Sequence, residues 1–211
     1  MLENEKTYHQ WTLDFKELDA LKKIFHWPEK FKLPVWDILR NYLKHYQSEG
    51  LFSGLDRGMD IIGPLCQAVA NPATPEPLSG LILRVLANIF LQNTSMNCMT
   101  SNADVILQTL ASSSQKGFEG KSYATSLSGL MLNYSVGFLE KPIESKDALN
   151  LFLKIIEHRL SIEKDELNQH NYLVAVGNLL HKYPSTKPQA QFVKNYARGD
   201  AITRDLSRLL K

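Results

Sequence analysis

Leu81-Ile82-Leu83-Arg84-Val85-Leu86-Ala87-Asn88-Ile89-Phe90 is an apolar run at helical spacing, interrupted only by Arg84 and Asn88. A run of the same kind returns as Leu130-Met131-Leu132-Asn133-Tyr134 and again as Val174-Ala175-Val176-Gly177-Asn178-Leu179-Leu180. The asparagines Asn88, Asn133 and Asn178 stand 45 residues apart both times. A period in the mid-forties, without strand-like alternation between copies, belongs to helical repeats of the armadillo and HEAT kind. An earlier copy is legible in Asp37-Ile38-Leu39-Arg40, which is similar to Leu81-Ile82-Leu83-Arg84, with Arg40 preceding Arg84 by 44 residues. The expectation is an all-α solenoid, a class whose members mostly bind other molecules along an extended surface.

Bulk properties agree with one continuous body over residues 1–211. Apolar residues make up 44% and charged residues 22%, close to the soluble globular average, so a disordered or fibrous class is excluded. A net charge of +2 does not require a polyanionic partner, but the distribution is uneven. Between Ile61 and Gln115 the only charged residues are Glu76, Arg84 and Asp104, which marks this stretch as the most buried and Arg84 as conspicuous within it. From Lys182 to Lys211 seven basic residues face only Asp200 and Asp205. Cys66 and Cys98 are too few for a disulfide framework and lack zinc-ligand spacing, so they read as reduced, buried thiols. The N-terminus has no apolar signal core and no run approaches a membrane span, which favours the cytoplasm or nucleus.

Helical periodicity punctuated by Pro, Gly and capping residues predicts helices at 14–26, 34–47, 56–71, 76–92, 102–112, 120–139, 145–159, 164–182, 187–197 and 200–210. Pro34 and Pro77 fall in first turns, whereas Pro64 is expected to break or kink the third helix. The asparagine-bearing helices are the longest and most apolar, the role of the innermost helix of a repeat. Arg84 and Asn88 share a face at i, i+4, as do Arg40 and Lys44 one repeat earlier and Gly129 and Asn133 one repeat later. Asn171, Val174 and Asn178 form the last such stripe. Side by side these faces make a ladder of basic and amide groups, suited to a peptide backbone and to carboxylates, with apolar pockets beside Trp36 or Tyr134. A plainer alternative stands beside this one: each asparagine bonds to a neighbouring segment of the fold, and Arg40 pairs with Asp37 across one turn.

Four phrases carry a resemblance to a known family. Leu33-Pro34-Val35-Trp36-Asp37-Ile38-Leu39-Arg40, the run from Leu81 to Phe90, Leu132-Asn133-Tyr134-Ser135-Val136, and Tyr172-Leu173-Val174-Ala175-Val176-Gly177-Asn178-Leu179 resemble four successive signatures of the PUL domain. The resemblance implies an armadillo-like right-handed superhelix. Its basic concave groove would bind the C-terminal tail of a hexameric AAA ATPase, valosin-containing protein, in ubiquitin-dependent protein degradation. It also implies that Arg40 is a principal tail contact. Relatives tend to carry a second arginine where this chain has Asn171 beside His170, so Arg84, Lys44 and His170 are the candidates to compensate.

Enzymatic chemistry finds no footing in the sequence. There is no Gly-x-Ser-x-Gly elbow, phosphate-cradling glycine loop, His-Glu-x-x-His or paired-cysteine pattern, and the histidines lack i, i+4 pairing. The expectation is a non-catalytic interaction module without cofactor or metal, monomeric when isolated, and not membrane-bound. The alternative is a nucleic-acid or acidic-surface adaptor using the basic C-terminal face, where Tyr183, Phe192 and Tyr196 interleave with Lys182, Lys187, Lys194 and Arg198. A polar cap on the end of the solenoid accounts for the same residues.

Overall fold

Ten α-helices and short 3₁₀ segments make up all the regular structure among the described residues of the computed structural model, which are 15–24, 27–28, 31–53, 58–196 and 201–210. His9, His26, Arg198, Asp200 and Lys211 lie outside these. The helices are α1 (Phe15–Ile24), α2 (Lys32–Tyr42), α3 (Met59–Ala70), α4 (Glu76–Ile89), α5 (Asn93–Ser101), α6 (Ala103–Ser114), α7 (Lys121–Glu140), α8 (Lys146–Ile162), α9 (Glu166–Lys182) and α10 (Ala201–Leu209). One row runs α2, α4, α7, α9, α10, each packed on the next, and a second row runs α3, α6, α8 behind it. The fold is the expected helical-repeat solenoid. One contiguous apolar core extends through it from Val35 to Leu210.

The repeat period governs how the chain is fastened. Side-chain hydrogen bonds join each unit to the next at separations between 38 and 48 residues. In the second row, Lys116 donates through Nζ to the carbonyls of Val69 (2.5 Å) and Asn71 (2.8 Å), satisfying acceptors that the end of α3 leaves open. Burial lowers the Lys116 pKa below its ordinary value. Arg159 on α8 is only 2% exposed and donates to Phe118 O at 3.0 Å, with its guanidinium 5.5 Å from the Tyr123 ring centre. Nothing in the helical pattern around Arg159 marks it as buried, because the acceptor and the ring both come from a segment some forty residues earlier.

Three local expectations need correcting. Pro64 does not break α3, which runs unbroken from Met59 to Ala70. Ile61, Ile62, Leu65, Cys66 and Val69 are all buried along it, and that packing offsets the one backbone hydrogen bond a proline forfeits. The helix begins at Gly58, whose φ of 71° falls in the left-handed region and whose bare Cα sits against the Phe52 ring. Second, α5 appears where no helix was expected, since Asn93-Thr94-Ser95 has poor helix propensity and Gln92 provides no side-chain cap. Its N-terminus is capped from a distance: Glu49 Oε1 accepts from Thr94 N at 3.1 Å. Third, residues 187–197 are not an α-helix. Pro184–Thr186 and Gln191–Tyr196 form 3₁₀ turns that bury Ala190 and Val193 at the i, i+3 spacing such turns align.

Leu86 and Leu130 are both fully buried between long helices. Leu86→Ala and Leu130→Ala should each destabilise by ~2–5 kcal/mol in denaturant titration, and a loss below about 1 kcal/mol at both would show the row is loosely packed. Burial pushes the Cys66 thiol up to about 12 and the Tyr42 hydroxyl to about 12. Both groups stay neutral when folded, so their contribution is fully present below their ordinary values of 9.0 and 10.0 and is lost as pH rises toward 12. Native protein should therefore resist thiol labelling at neutral pH, and its denaturation midpoint should fall progressively above about pH 9.

Candidate functional site

Arg84 lies on the exposed side of α4, four residues beyond Gly80 and so on the same face. Gly80 is where α7 comes closest: a Cβ there would lie 3.1 Å from Ser122 Oγ and 3.2 Å from Tyr123 N. This close approach delivers two hydroxyls to the arginine. Arg84 Nε donates to Ser126 Oγ at 3.1 Å and Nη2 to Ser122 Oγ at 3.3 Å, and Ser126 in turn donates to Ser122 O at 2.6 Å. No carboxylate pairs with Arg84 among the described residues. The guanidinium is thus oriented by neutral acceptors and keeps its full charge.

Arg40, in the last turn of α2, comes to the same place in a different electrostatic state. Its Nε and Nη2 contact Asp37 Oδ1 at 2.9 and 2.8 Å, and its side chain is 25% exposed. The local pairing anticipated across one turn is therefore present, and Arg40 is partly neutralised at rest. Arg40, Lys44, Arg84 and Asn88 line a single open depression of about 300 Å³, whose far wall is Thr125, Ser126 and Gly129 of α7. The structure thus brings together the basic residues that spacing placed on corresponding faces. His170 is exposed on α9 and does not line it.

The asparagines have a different role from the ligand-facing ladder. Asn88 Nδ2 donates to Arg40 O at 2.8 Å, Asn133 Nδ2 to Ala87 O at 3.0 Å, and Asn178 Nδ2 to Ser135 Oγ at 3.1 Å. Each amide is a stitch from one helix of the first row to the helix before it. Asn171 does the same through Ser128 Oγ at 3.3 Å, beside a Ser128–Asn168 bond of 3.0 Å. These contacts correct the expectation of an amide ladder reserved for a peptide backbone, because the fold already engages the amide N–H groups. Trp36 and Tyr134 are likewise core residues, at 1% and 0% exposure. Tyr134 packs edge-on to Phe90 at 4.8 Å between ring centres and lies 5.5 Å from Phe138. Burial, with the Cys66 thiol nearby, holds its hydroxyl well above the usual range. Neither ring offers a pocket wall.

The C-terminal face is occupied too. Tyr183 OH accepts from Ile143 N at 2.8 Å and donates to Phe138 O at 3.3 Å, while Phe192 and Tyr196 pack against the core. These aromatics do not form a stacking platform for bases.

A family model for the PUL domain matches residues 5–206. The chain belongs to the PUL domain family. Phospholipase A-2-activating protein of Xenopus laevis is 24% identical over 174 residues, covering 80% of this chain and 20% of that protein. The ubiquitin fusion degradation protein 3 homolog of Caenorhabditis elegans is 29% identical over 92 residues, covering 44% of this chain and 10% of that one. The chain therefore spans a fifth or less of the length of these relatives. Within the PUL domain, the stitching asparagines and the basic depression make separable demands. Asn133→Ala should cost ~1–2 kcal/mol of stability, the scale of a lost buried hydrogen bond. Arg84→Ala should cost less than about 0.5 kcal/mol, since Arg84 is exposed. Equal losses in thermal unfolding would mean that Arg84 is structural.

Proposed function

We propose that this chain is a non-catalytic protein-interaction module that binds the acidic C-terminal tail of a hexameric AAA ATPase, valosin-containing protein, in ubiquitin-dependent protein degradation. The observation that carries this reading is Arg84, a cation oriented by Ser122 and Ser126 without a carboxylate among the described residues and set beside Arg40 and Lys44. Such a site is complementary to carboxylates that arrive on a partner. Family membership supports it, as does the printed name of the nematode relative, which concerns degradation of ubiquitin fusions. A role in the cytoplasm or nucleus accords with this partner. The chain works as a recruiting surface and contributes no bond-making chemistry of its own.

Arg40 enters the complex by partner exchange. An incoming carboxylate competes with Asp37 for the same guanidinium, so the pair tunes affinity downward. Calorimetric titration with the ATPase tail peptide tests the reading. Arg84→Ala should weaken binding five- to thirtyfold, equivalent to ~1–2 kcal/mol for a charge-assisted bond in an open setting. Asp37→Asn should tighten it, and added salt should weaken it steadily. Lys194→Ala and Arg208→Ala, on the C-terminal face, should have no effect. If these two matter more than Arg84→Ala, the functional surface is the C-terminal face and the reading is wrong.

A further inference from the structure

The basic depression does not end at Arg84. Along α7 the exposed stripe continues from Thr125 and Gly129 through Asn133 to Val136 and Glu140, at the i, i+4, i+7 spacing of one helix face. Beside that continuation the chain leaving α4 presents Leu91. Together with Phe90 and Met96 these residues line a second open cleft of about 250 Å³. Its two most prominent apolar side chains are exposed, Leu91 at 54% and Val136 at 40%. The Asn133–Ala87 hydrogen bond is the seam between the two, since Ala87 lines the basic depression and Asn133 the apolar cleft. Glu140 stands at the far end. Charge thus falls along the groove from basic through neutral and apolar to acidic, so a ligand rich in carboxylates can lie in it in only one sense.

We infer that this apolar cleft is a specificity subsite of the same groove, taking a large apolar side chain that the tail carries about three residues from its anchoring carboxylate. The inference rests on the carboxylate-binding reading. Its spacing comes from α7, where Gly129 and Val136 are separated by seven residues, ~10 Å at the helical rise, which an extended peptide covers in about three residues. The occupant is an extended acidic peptide and not a second copy of this chain: the cleft is continuous with the basic depression, and Glu140 repels acidic groups at the distal end alone.

Fluorescence anisotropy with short synthetic peptides tests the inference on the chain as it stands. The reference probe carries two aspartates, a free C-terminal carboxylate, and leucine three residues before its end. Replacing that leucine by serine should weaken binding about tenfold, as should the double change Leu91→Ser, Val136→Ser against the reference probe. The two effects should not add, because both remove the same contact. Moving the leucine to directly before the terminal residue should forfeit its advantage. If the serine probe binds as tightly as the reference, or if the double variant weakens both probes equally, the subsite is wrong while the carboxylate reading stands. If a C-terminally amidated probe without aspartates binds as well as the reference and Arg84→Ala has no effect, the carboxylate reading fails and takes the inference with it. Concentration-dependent self-association that Val136→Asp abolishes would assign the cleft to a second copy and overturn the proposal.

Discussion

Each long helix of the first row reaches back to the one before it through an asparagine amide, and the placement of every surface group on that row depends on the register so set. Asn88 holds α4 to the end of α2, Asn133 holds α7 to α4, and Asn178 holds α9 to α7. Apolar packing supplies most of the energy here, since it scales with buried area, but it constrains register weakly because neighbouring leucines are nearly interchangeable partners. A half-buried amide is not interchangeable. Sliding one helix by a turn would leave the donor unpaired, at a cost comparable to a core mutation. Because Asn88 bonds the carbonyl of Arg40 itself, the same contact that fixes α2 against α4 also fixes Arg40 relative to Arg84.

Register alone does not bring Arg84 to the right wall. The absence of a side chain at Gly80 lets the N-terminal half of α7 approach α4 to within van der Waals contact of the backbone, which puts Ser122 and Ser126 in reach of the guanidinium. The two arginines then differ in what they offer. Arg40 carries its own counter-ion and Arg84 does not, so the depression combines a cation that must be won from Asp37 with one already available. Since both sit in an open setting, neither forces a large desolvation penalty on a ligand, and neither supplies the large gain of a buried pair.

The sequence revealed the elements that repeat and concealed the contacts between repeats. The 45-residue interval between asparagines disclosed the solenoid, and the i, i+4 spacing of Arg84 and Asn88 put them on one face with Arg40 and Lys44 as neighbours. These are one-dimensional signals. The partners of the asparagines were not visible, because an amide aimed at a ligand and one aimed at the preceding helix occupy the same position in a helical pattern. The α5 helix was hidden for a related reason, its cap coming from Glu49 in the preceding repeat. Trp36 and Tyr134 misled as pocket residues because aromatic side chains in an apolar helix lie on the core face as readily as at its edge, and here burial decides.

The apolar cleft was illegible for a further reason, and it shows where specificity in such a fold resides. Leu91 stands just past the end of α4, outside the periodic pattern, and Val136 looks like one more core residue of an apolar helix until α7 is rotated into place. Both become exposed because α5, the element the sequence concealed, packs against α4 and α7 behind them and leaves their outer edges open. A repeat scaffold specifies the groove through its periodic residues, and so any relative with the same stitches inherits a groove of the same course. Selectivity within that groove must come from positions where the repeats differ. In this chain those are the irregular segment after α4 and the charge at Glu140, which lie beyond the basic residues and grade the groove from cationic to apolar to anionic.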